Sequence, residues 1–215
     1  SSLLCRLCRF YANNLCFLLT LLQLYISALA RLQMDSRTKE ICAALKTYPD
    51  FPKKGILFCD IMPVFQKPDL FRKMVDLLAE HVRKSVPNVQ VIAGIEARGF
   101  LVGPSLALAL NVPFVPIRKP GKLPGKVKSQ AYTLEYGEDK LEVQLESIIP
   151  GQNVVIIDDL LATGGSMQAA VNLIQAAGAN VALCIVIVEI EELHGRQKLD
   201  VPIFSLIPFS AAAKK

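Results

Sequence analysis

The sequence has few of the residues that build metal and disulfide sites. It contains 6 cysteines and 2 histidines in 215 residues, and Cys5, Cys8 and Cys16 all lie near its beginning. The remaining cysteines are scattered, so the spacing does not indicate the disulfide framework of a small secreted domain. The C-x-x-C of Cys5 and Cys8 has no second pair, and His81 and His194 lie far along the chain, which argues against a zinc site.

Two common nucleotide-binding signatures are also missing. The sequence contains neither the G-x-x-x-x-G-K-[ST] of a P-loop nor the G-x-G-x-x-G of a dinucleotide fold. Its net charge is +5, but three of its arginines lie in the first 33 residues, where there is no acidic residue. The rest of the chain has 21 basic and 19 acidic side chains, and this balance gives no support to nucleic-acid binding.

Residues 1–33 differ in composition from everything after them. Arginines precede a run of about 16 mostly apolar residues that ends at Ala28-Leu29-Ala30, as in a signal peptide, but a membrane-spanning helix needs ~20. Met34 begins a polar, amphipathic stretch typical of a cytosolic protein. We expect residues 1–33 to be a leader outside the working protein, either translated non-coding sequence or an extension, with organellar or membrane targeting as the alternative. The length then predicts one domain over residues 34–215.

The stretch from Asn153 to Met167 predicts a strand, a loop and the start of a helix. Its first residues, V-V-I-I, are β-branched without interruption, which favours a parallel strand covered by helices on both faces. Asp158 and Asp159 follow, at the carboxyl end of the strand, where ligands of open α/β sheets bind. The sequence therefore predicts an α/β fold with a central parallel sheet.

The loop after the two aspartates is suited to a phosphate. In T-G-G-S (163–166) the glycines let backbone N–H groups point inward at the start of a helix, whose dipole favours an anion. Two carboxylates beside a phosphate would repel it, but they can accept hydrogen bonds from ribose hydroxyls. A ribose 5-phosphate is the ligand that this pattern indicates; the alternative is a buried strand with a solvated aspartate pair and an ordinary glycine turn.

Other strands and helices are predicted from periodicity. Arg98 follows the strand at 89–95 and is placed to bind an anion bidentately, or to form a surface salt bridge with Glu96. Helices are predicted from Asp35 or Ser36 to Tyr48, after Pro68 with Asp69 as cap, through Leu110, and at 167–177. Further strands are predicted at 113–117, 179–188 and 201–207, with a basic loop at 118–128 and a charged helical turn at 189–198. A hairpin is predicted at 131–144 and is expected to rise off the sheet.

The thirteen residues V-V-I-I-D-D-L-L-A-T-G-G-S match a signature for phosphoribosyl pyrophosphate, and on them the chain resembles the type I phosphoribosyltransferases. Four more segments, P-D-F-P-K-K-G-I-L-F, G-I-E-A-R-G-F, R-K-P-G-K-L-P-G and Y-T-L-E-Y-G, resemble the adenine phosphoribosyltransferases in order, over about 48–208. The resemblance implies a central, mostly parallel twisted sheet flanked by helices, a small N-terminal hood over 34–67 and a mobile β-hairpin loop. It implies purine salvage: ribose 5-phosphate passes from 5-phosphoribosyl 1-pyrophosphate (PRPP) to N9 of adenine, giving AMP and pyrophosphate.

The same resemblance implies roles for individual residues. Asp158 and Asp159 would hold the ribose hydroxyls, and the 5-phosphate would lie against Ala162, Thr163, Gly164, Gly165 and Ser166. The pyrophosphate ligands would be Arg98, Arg118, Lys119 and Lys122, with a cis peptide bond between Glu96 and Ala97. Arg118 would reach into the neighbouring site of a homodimer.

For the purine, the resemblance implies stacking on Phe58 and recognition of the amino edge by the backbone of Leu57. Glu135, in the hairpin, would be the catalytic acid/base, with Arg98 also catalytic. Mg²⁺ would be the cofactor, with no direct protein ligand, because this ion keeps its waters. The enzyme would be cytoplasmic, with no nucleic-acid or membrane partner. Cys59 stands where the family commonly has arginine, which leaves a contact near the adenine in question.

Two other functions fit parts of the pattern. Transcriptional regulators with this fold bind the same ribose pyrophosphate without chemistry, but they append a DNA-binding segment, and no helix-turn-helix pattern is present. Hypoxanthine–guanine enzymes place an acidic residue where Ala162 stands and use it on the 6-oxopurine. Alanine at this position favours adenine.

Overall fold

The computed structural model describes residues 34–134 and 137–210, and its centre is a five-stranded parallel sheet with the order β4-β3-β7-β8-β9. Its strands are β3 (Val91–Ile95), β4 (Phe114–Ile117), β7 (Asn153–Leu161), β8 (Asn180–Ile190) and β9 (Ile203–Phe209). The parallel sheet expected from the sequence is therefore confirmed.

The central strand β7 is buried on both faces. Residues 154–157 are all 0% exposed, and their side chains alternate between two apolar layers. Val155 and Ile157 face the first layer, and Val154 and Ile156 face the second. A strand covered on both sides has no polar face. An uninterrupted β-branched run therefore supplies apolar side chains to both layers.

Helices cover the two faces unequally. The first layer packs against α1 (Ser36–Ala44), α2 (Met62–Phe65), α3 (Pro68–Ser85) and α4 (Gly99–Leu110). The second packs against α5 (Gly165–Ala176) and against the antiparallel hairpin β5 (Val127–Leu134) and β6 (Gly137–Gln144). The hairpin contributes Leu141 and Val143 to this core, so its β6 strand closes the second face instead of standing free of the sheet as expected.

Two glycines hold α4 close to the sheet. A Cβ on Gly99 would lie 2.7 Å from the carbonyl oxygen of Ile157, and one on Gly103 would lie 2.4 Å from the ring of Phe114. Neither position has room for a side chain. The start of α4, and the loop before it, are thereby fixed against the end of β7.

The predicted hood, residues 34–67, contains a separate two-stranded antiparallel sheet. It pairs β1 (Lys46–Pro49) with β2 (Leu57–Asp60). The helix predicted to reach Tyr48 ends at Ala44, so the last part of that prediction was wrong. Pro49 cannot continue a helix, and the partner strand β2 supplies the hydrogen bonds that make residues 46–49 extended.

Other boundaries also differ from the prediction. Pro68 occupies the first turn of α3 and Lys67 the cap position, where Asp69 was expected to cap. Helix α2 was not predicted, because four residues carry too little periodicity. The charged helical turn begins later than expected: Glu189 and Ile190 belong to β8, and two 3₁₀ turns follow at Glu191–Leu193 and Gly195–Lys198. The predicted leader lies outside the described residues, and the domain boundaries remain a prediction.

Candidate active site

The candidate site lies at the carboxyl ends of β3 and β7. The chain passes from β3 to β4 on one side, and β7 then adds on the other side of β3, so the strand order reverses direction between β3 and β7. Ligands of open α/β sheets bind at such a switch point. The two loops singled out from the sequence, after β3 and after β7, meet there.

The loop after β7 leads directly into α5. Gly164 has a φ of +81° and occupies the cap position, and the helix begins at Gly165. Among the described residues no side-chain hydrogen bond caps this end, so the first-turn N–H groups have no side-chain acceptor there. The predicted phosphate cradle therefore has the backbone conformation that an anion site at a helix N-terminus requires.

Arg98 links the loop after β3 to the carboxyl-terminal part of β7. Its Nε lies 2.7 Å from Oδ2 of Asp159, whose side chain is only 8% exposed, against 41% for Arg98. The carboxylate of Glu96, the alternative partner, instead accepts hydrogen bonds from Arg118 and Lys119. The Arg98 guanidinium is held at the junction of the two loops, with much of its surface open to a ligand.

The two aspartates of β7 differ in their surroundings. Oδ1 of Asp158 accepts a 2.9 Å hydrogen bond from the backbone N–H of Asp159. Burial, and then the negative charge of Asp159, raise the pKa of Asp158 well above its usual range. Burial also raises the pKa of Asp159, but the Arg98 guanidinium opposes that rise. Two adjacent carboxyl groups, of which Asp159 is buried, suit with one cation a ligand that donates hydroxyl hydrogen bonds.

Glu96 organises the basic loop after β4. Its carboxylate accepts hydrogen bonds from Arg118 Nη2 at 3.0 Å and Nε at 3.1 Å, and from the backbone N–H of Lys119 at 3.0 Å. The hydrogen bonds from Arg118 hold the pKa of Glu96 below its usual value. The peptide bond between Glu96 and Ala97 is cis, as the family resemblance implies.

Lys119 and Lys122 are placed differently. Lys119 Nζ forms an ion pair with Asp139 of β6, and Tyr132 Oη donates a 3.0 Å hydrogen bond to the same carboxylate oxygen. Lys122 is exposed, and its carbonyl oxygen accepts a 3.2 Å hydrogen bond from Arg118 Nη1. Both lysines belong to the loop after β4, and Lys119 already has an anionic partner.

The hood reaches the site through Phe58. Its ring centroid lies 5.9 Å from Cζ of Arg98, and the ring of Phe51 packs edge-on against it at 5.1 Å. Leu57 precedes it in β2, and Cys59 follows it opposite Thr47. A chain of contacts from Phe51 through Phe58 and Arg98 to Asp159 therefore joins the hood to the signature strand.

Glu135, the expected acid/base residue, lies outside the described residues, so its role stays a prediction. Gly195 touches the loop after β7 but was not singled out from the sequence. A lone glycine in a predicted helical stretch is a signal of close backbone approach that could have found it. The pairing of Asp139 with Lys119 had no local signal, because it depends on the register of the hairpin.

The described parts of the chain contain neither a metal-binding cluster nor a membrane span. Within residues 34–134 and 137–210, no group of three or more His, Cys, Asp and Glu side chains is placed to hold a metal ion. None of the helices in these two ranges is both long enough and apolar enough to span a bilayer.

Comparison with known proteins identifies a domain and a set of relatives. The model of the phosphoribosyl transferase domain matches residues 64–212. An adenine phosphoribosyltransferase of Eremothecium gossypii is 47% identical over 178 residues, which cover 82% of this chain and 95% of the relative. A Caenorhabditis elegans protein of the same name is 50% identical over 181 residues, covering 84% and 98%.

The fold is similar to that of solved structures as well. The crystal structure of adenine phosphoribosyltransferase from Saccharomyces cerevisiae, complexed with an imino-altritol bisphosphate and adenine, superposes with a TM-score of 0.78 and 46% identity. The match covers 80% of this chain and 98% of the yeast chain. Sequence and fold therefore give the same set of relatives.

Proposed function

The chain belongs to the adenine phosphoribosyltransferase family, and from this premise we propose that it transfers the ribose 5-phosphate of PRPP to N9 of adenine, giving AMP and pyrophosphate in purine salvage. One observation carries the proposal most directly. Arg98 and Asp159 join the loop after β3 to the carboxyl-terminal part of β7 at the switch point of the sheet, just before a phosphate cradle. A ribose phosphate with an anionic leaving group fits this arrangement of charges.

The ribose 5-phosphate would occupy the loop after β7. Asp158 and Asp159 accept hydrogen bonds from the ribose hydroxyls, and the backbone of residues 162–166 binds the 5-phosphate at the N-terminus of α5. The positive φ of Gly164 supports this assignment, because it turns the backbone into the helix without a side chain over the cradle.

Pyrophosphate would lie against Arg98, Arg118, Lys119 and Lys122. Lys119 is held beside the site by Glu96, and Arg98 by Asp159, whereas Arg118, which also bonds Glu96, is the ligand that we assign to the pyrophosphate of the neighbouring site. Lys119 forms an ion pair with Asp139 here, so binding of the leaving group exchanges one anionic partner for another. Cations at these positions stabilise the negative charge that develops as the bond from the anomeric carbon to pyrophosphate breaks.

Adenine would stack on Phe58, with its amino edge against the backbone of Leu57. In the reaction N9 forms a bond to the anomeric carbon, pyrophosphate departs with the bonding electrons, and the N9 proton is lost. Glu135 is the acid/base group that we assign to this proton. Cζ of Arg98 lies 5.9 Å from the ring centroid of Phe58. This proximity supports a base bound between the hood and the ribose site.

We assign Mg²⁺ as the cofactor. Asp158 and Asp159 suit this ion as partners of its bound waters, because carboxylate oxygens attract a hydrated Mg²⁺ without replacing its water shell. We expect Mg²⁺ to keep most of its waters and to be held mainly by substrate oxygens. When bound, it neutralises charge on the pyrophosphate.

We also propose a homodimer in the cytoplasm, in which Arg118 reaches the neighbouring site. Support comes from α4, where Leu108 is 83% exposed and Leu101 is 40% exposed. The same helix forms, through Ala109, one wall of a groove whose other wall includes Phe71 and Val75 of α3. An apolar helix face of this kind marks an interaction surface.

The function is tested by incubating the purified full-length chain with adenine, PRPP and Mg²⁺. We expect AMP and pyrophosphate to appear in equal amounts, and neither to appear when ribose 5-phosphate replaces PRPP or when a chelator removes Mg²⁺. Ribose 5-phosphate is the matched control, because it fills the same cradle but has no leaving group. Absence of AMP in the complete reaction would overturn the proposal.

A further inference from the structure

The phosphate loop rests on a turn that lies outside the signature. Gly195, at the start of the 3₁₀ turn Gly195–Lys198, packs directly against the loop between β7 and α5. A Cβ on Gly195 would lie 2.2 Å from the carbonyl oxygen of Ala162 and 2.9 Å from the backbone N of Gly164. Reciprocally, a Cβ on Gly164 would lie 2.4 Å from the carbonyl oxygen of Gly195. Backbone therefore packs on backbone, and the turn sets the position of the loop.

Arg196 fastens this turn to the sheet. Its Nη2 and Nε bond both carboxylate oxygens of Glu189, at 2.5 and 3.0 Å, and Nη1 bonds the carbonyl oxygen of Ile203 at 2.7 Å. Nη2 also lies 3.3 Å from Oγ of Ser205. One guanidinium thus ties the turn to the end of β8 and to β9.

The carboxylate that Arg196 bonds belongs to Glu189, near the end of strand β8. Glu189 is one of few buried charged residues in the described chain, with 8% of its surface exposed. Burial raises the pKa of Glu189, but the hydrogen bonds from Arg196 and Ser205 outweigh burial and leave that pKa below its usual value. Glu189 is therefore ionised at neutral pH, and the bidentate geometry of its contact with Arg196 fixes direction as well as distance.

We propose that Arg196 and Glu189 are positioning residues that hold Gly195 against the phosphate loop and so set the affinity for the 5-phosphate of the substrate. The inference rests on the proposed function, because it assigns the 5-phosphate to that loop. Neither side chain is among the groups assigned to the substrate. They act through the backbone contact at Ala162 and Gly164, where a displacement of a few tenths of an ångström changes where the N–H groups point.

This arrangement has a selective consequence. The residues assigned to adenine lie in the hood and those assigned to pyrophosphate follow β3 and β4, so neither group depends on the Gly195 turn. Loosening the turn should weaken binding of the ribose 5-phosphate part while leaving recognition of adenine intact. A general loss of stability would not separate the two substrates in this way.

The test compares four variants with wild type: Gly195→Ala, Arg196→Ala, Arg196→Lys and Gly151→Ala. Calorimetric titration with ribose 5-phosphate measures the cradle without turnover, and steady-state kinetics give KM for PRPP and for adenine. For Gly195→Ala and Arg196→Ala we expect Kd for ribose 5-phosphate and KM for PRPP to rise by about tenfold or more, with KM for adenine within about twofold. For Arg196→Lys we expect the same two constants to rise by only about threefold. A lysine ammonium keeps the charge but cannot form the two parallel hydrogen bonds of a guanidinium.

Gly151→Ala is the matched control. Gly151 has a φ of +83°, and a Cβ placed on it would meet no atom within 4 Å, so alanine strains the backbone without touching the phosphate loop. This variant should lose thermal stability but keep wild-type Kd and KM values. If Gly195→Ala does not fold, the two Arg196 variants decide the question.

The outcomes are distinct. The positioning role would be overturned if folded Arg196→Ala kept its affinity for ribose 5-phosphate, or if Gly151→Ala lost as much of that affinity. It would also be overturned if KM for adenine rose in parallel, or if the wild-type protein did not bind ribose 5-phosphate. A wild-type protein that binds ribose 5-phosphate but makes no AMP would overturn the proposed function alone. The titrations would then still decide the role of the turn.

Discussion

At the scale of single residues, the candidate site depends on the contact between Arg98 and Asp159. The carboxylate is nearly buried and the guanidinium is partly open, so the pair places a fixed positive charge at the edge of the sheet. Asp158 lies beside this pair, and the positive charge of Arg98 also acts on it. Three ionisable groups, one in the loop after β3 and two near the end of β7, are thus placed to hold the ribose and its leaving group in one orientation.

Substitutions of Arg98 and Asp159 should each lower kcat/KM for PRPP, and the two losses should not be additive. A hydrogen bond to a charged group contributes about 1.5–3 kcal/mol, so Arg98→Ala and Asp159→Asn should each lower kcat/KM for PRPP by roughly tenfold or more. The double variant should lose less than the product of the two single losses, because both remove one shared contact. Steady-state kinetics on all three variants measures the coupling.

Arg37→Ala is the control for this cycle. Arg37 bonds Asp35 and Glu80 on the surface of the helices, away from the site, and its loss should leave kcat/KM unchanged. Normal kinetics in a folded Arg98→Ala protein would contradict the assignment of Arg98.

The raised pKa of Asp158 predicts a pH-dependent cost in stability. A carboxyl group whose pKa is higher in the folded state takes up a proton on folding, so its stabilising contribution is complete below the unfolded pKa of about 3.9 and is lost as pH rises through the folded value. The amide introduced by Asp158→Asn does not titrate. The melting temperature of this variant should therefore exceed that of wild type increasingly as pH rises above about 4, and then the difference should level off.

Calorimetry of the ligand-free proteins across this pH range checks the prediction for Asp158. The same substitution should weaken PRPP use, since the ribose loses a carboxylate partner. A difference in melting temperature that stays constant with pH would show that the pKa of Asp158 is not raised in the folded protein.

At the scale of elements, the sequence predicted the sheet better than its surroundings. The β-branched run of β7 and the Gly-rich loop after it are local patterns, and both lie where they were expected. The hood strand β1 was taken for helix because its pairing with β2 is not local, and the packing of β6 on the second face depends on a register that no periodicity reveals. The same contrast between local and non-local signals applies to the residues of the candidate site. Arg98 and the aspartates were found from spacing, whereas Gly195 and Asp139 needed the tertiary fold.

The hood gives a testable link between packing and purine binding. Phe51 is 53% exposed, yet its ring packs edge-on against Phe58, the proposed adenine platform. An aromatic pair contributes about 0.5–1.5 kcal/mol beyond its buried area, so Phe51→Leu should raise KM for adenine by roughly two- to tenfold and leave KM for PRPP nearly unchanged. Steady-state kinetics with each substrate varied in turn measures both constants.

Phe65→Leu is the matched substitution for this test. Phe65, at the end of α2, pairs with Phe71 of α3 and takes no part in the Phe51–Phe58 contact, so its replacement should cost stability without altering KM for adenine. If Phe51→Leu raised both KM values alike, the hood would be acting on the whole site and not on the purine.

At the scale of the whole molecule, the parallel sheet brings the two loops together and α4 connects them to an apolar surface. Gly99 and Gly103 hold α4 tightly on the sheet, while Leu101 and Leu108 are exposed. Cζ of Arg118 lies 5.9 Å from the ring centroid of Phe100 on the same helix. An interface formed here would therefore adjoin the basic loop.

Leu108→Glu tests whether this face forms the dimer. A charge in an apolar interface would have to be buried unpaired, so we expect the variant to be monomeric while wild type has twice the chain mass by light scattering. Ile149→Glu changes an equally apolar side chain that is 62% exposed elsewhere, and it should remain dimeric. A dimeric Leu108→Glu protein would show that the dimer interface does not include this face of α4.

The central claim, that this site transfers a phosphoribosyl group to adenine, is tested most directly by competition among purines. The full-length chain is given PRPP, Mg²⁺ and equal concentrations of adenine, hypoxanthine and guanine, and the nucleotides formed are identified by mass. We predict that AMP accounts for nearly all of the product, because Ala162 offers no acidic group to a 6-oxopurine and the hood is built around Phe58. IMP or GMP in amounts comparable to AMP would contradict the account.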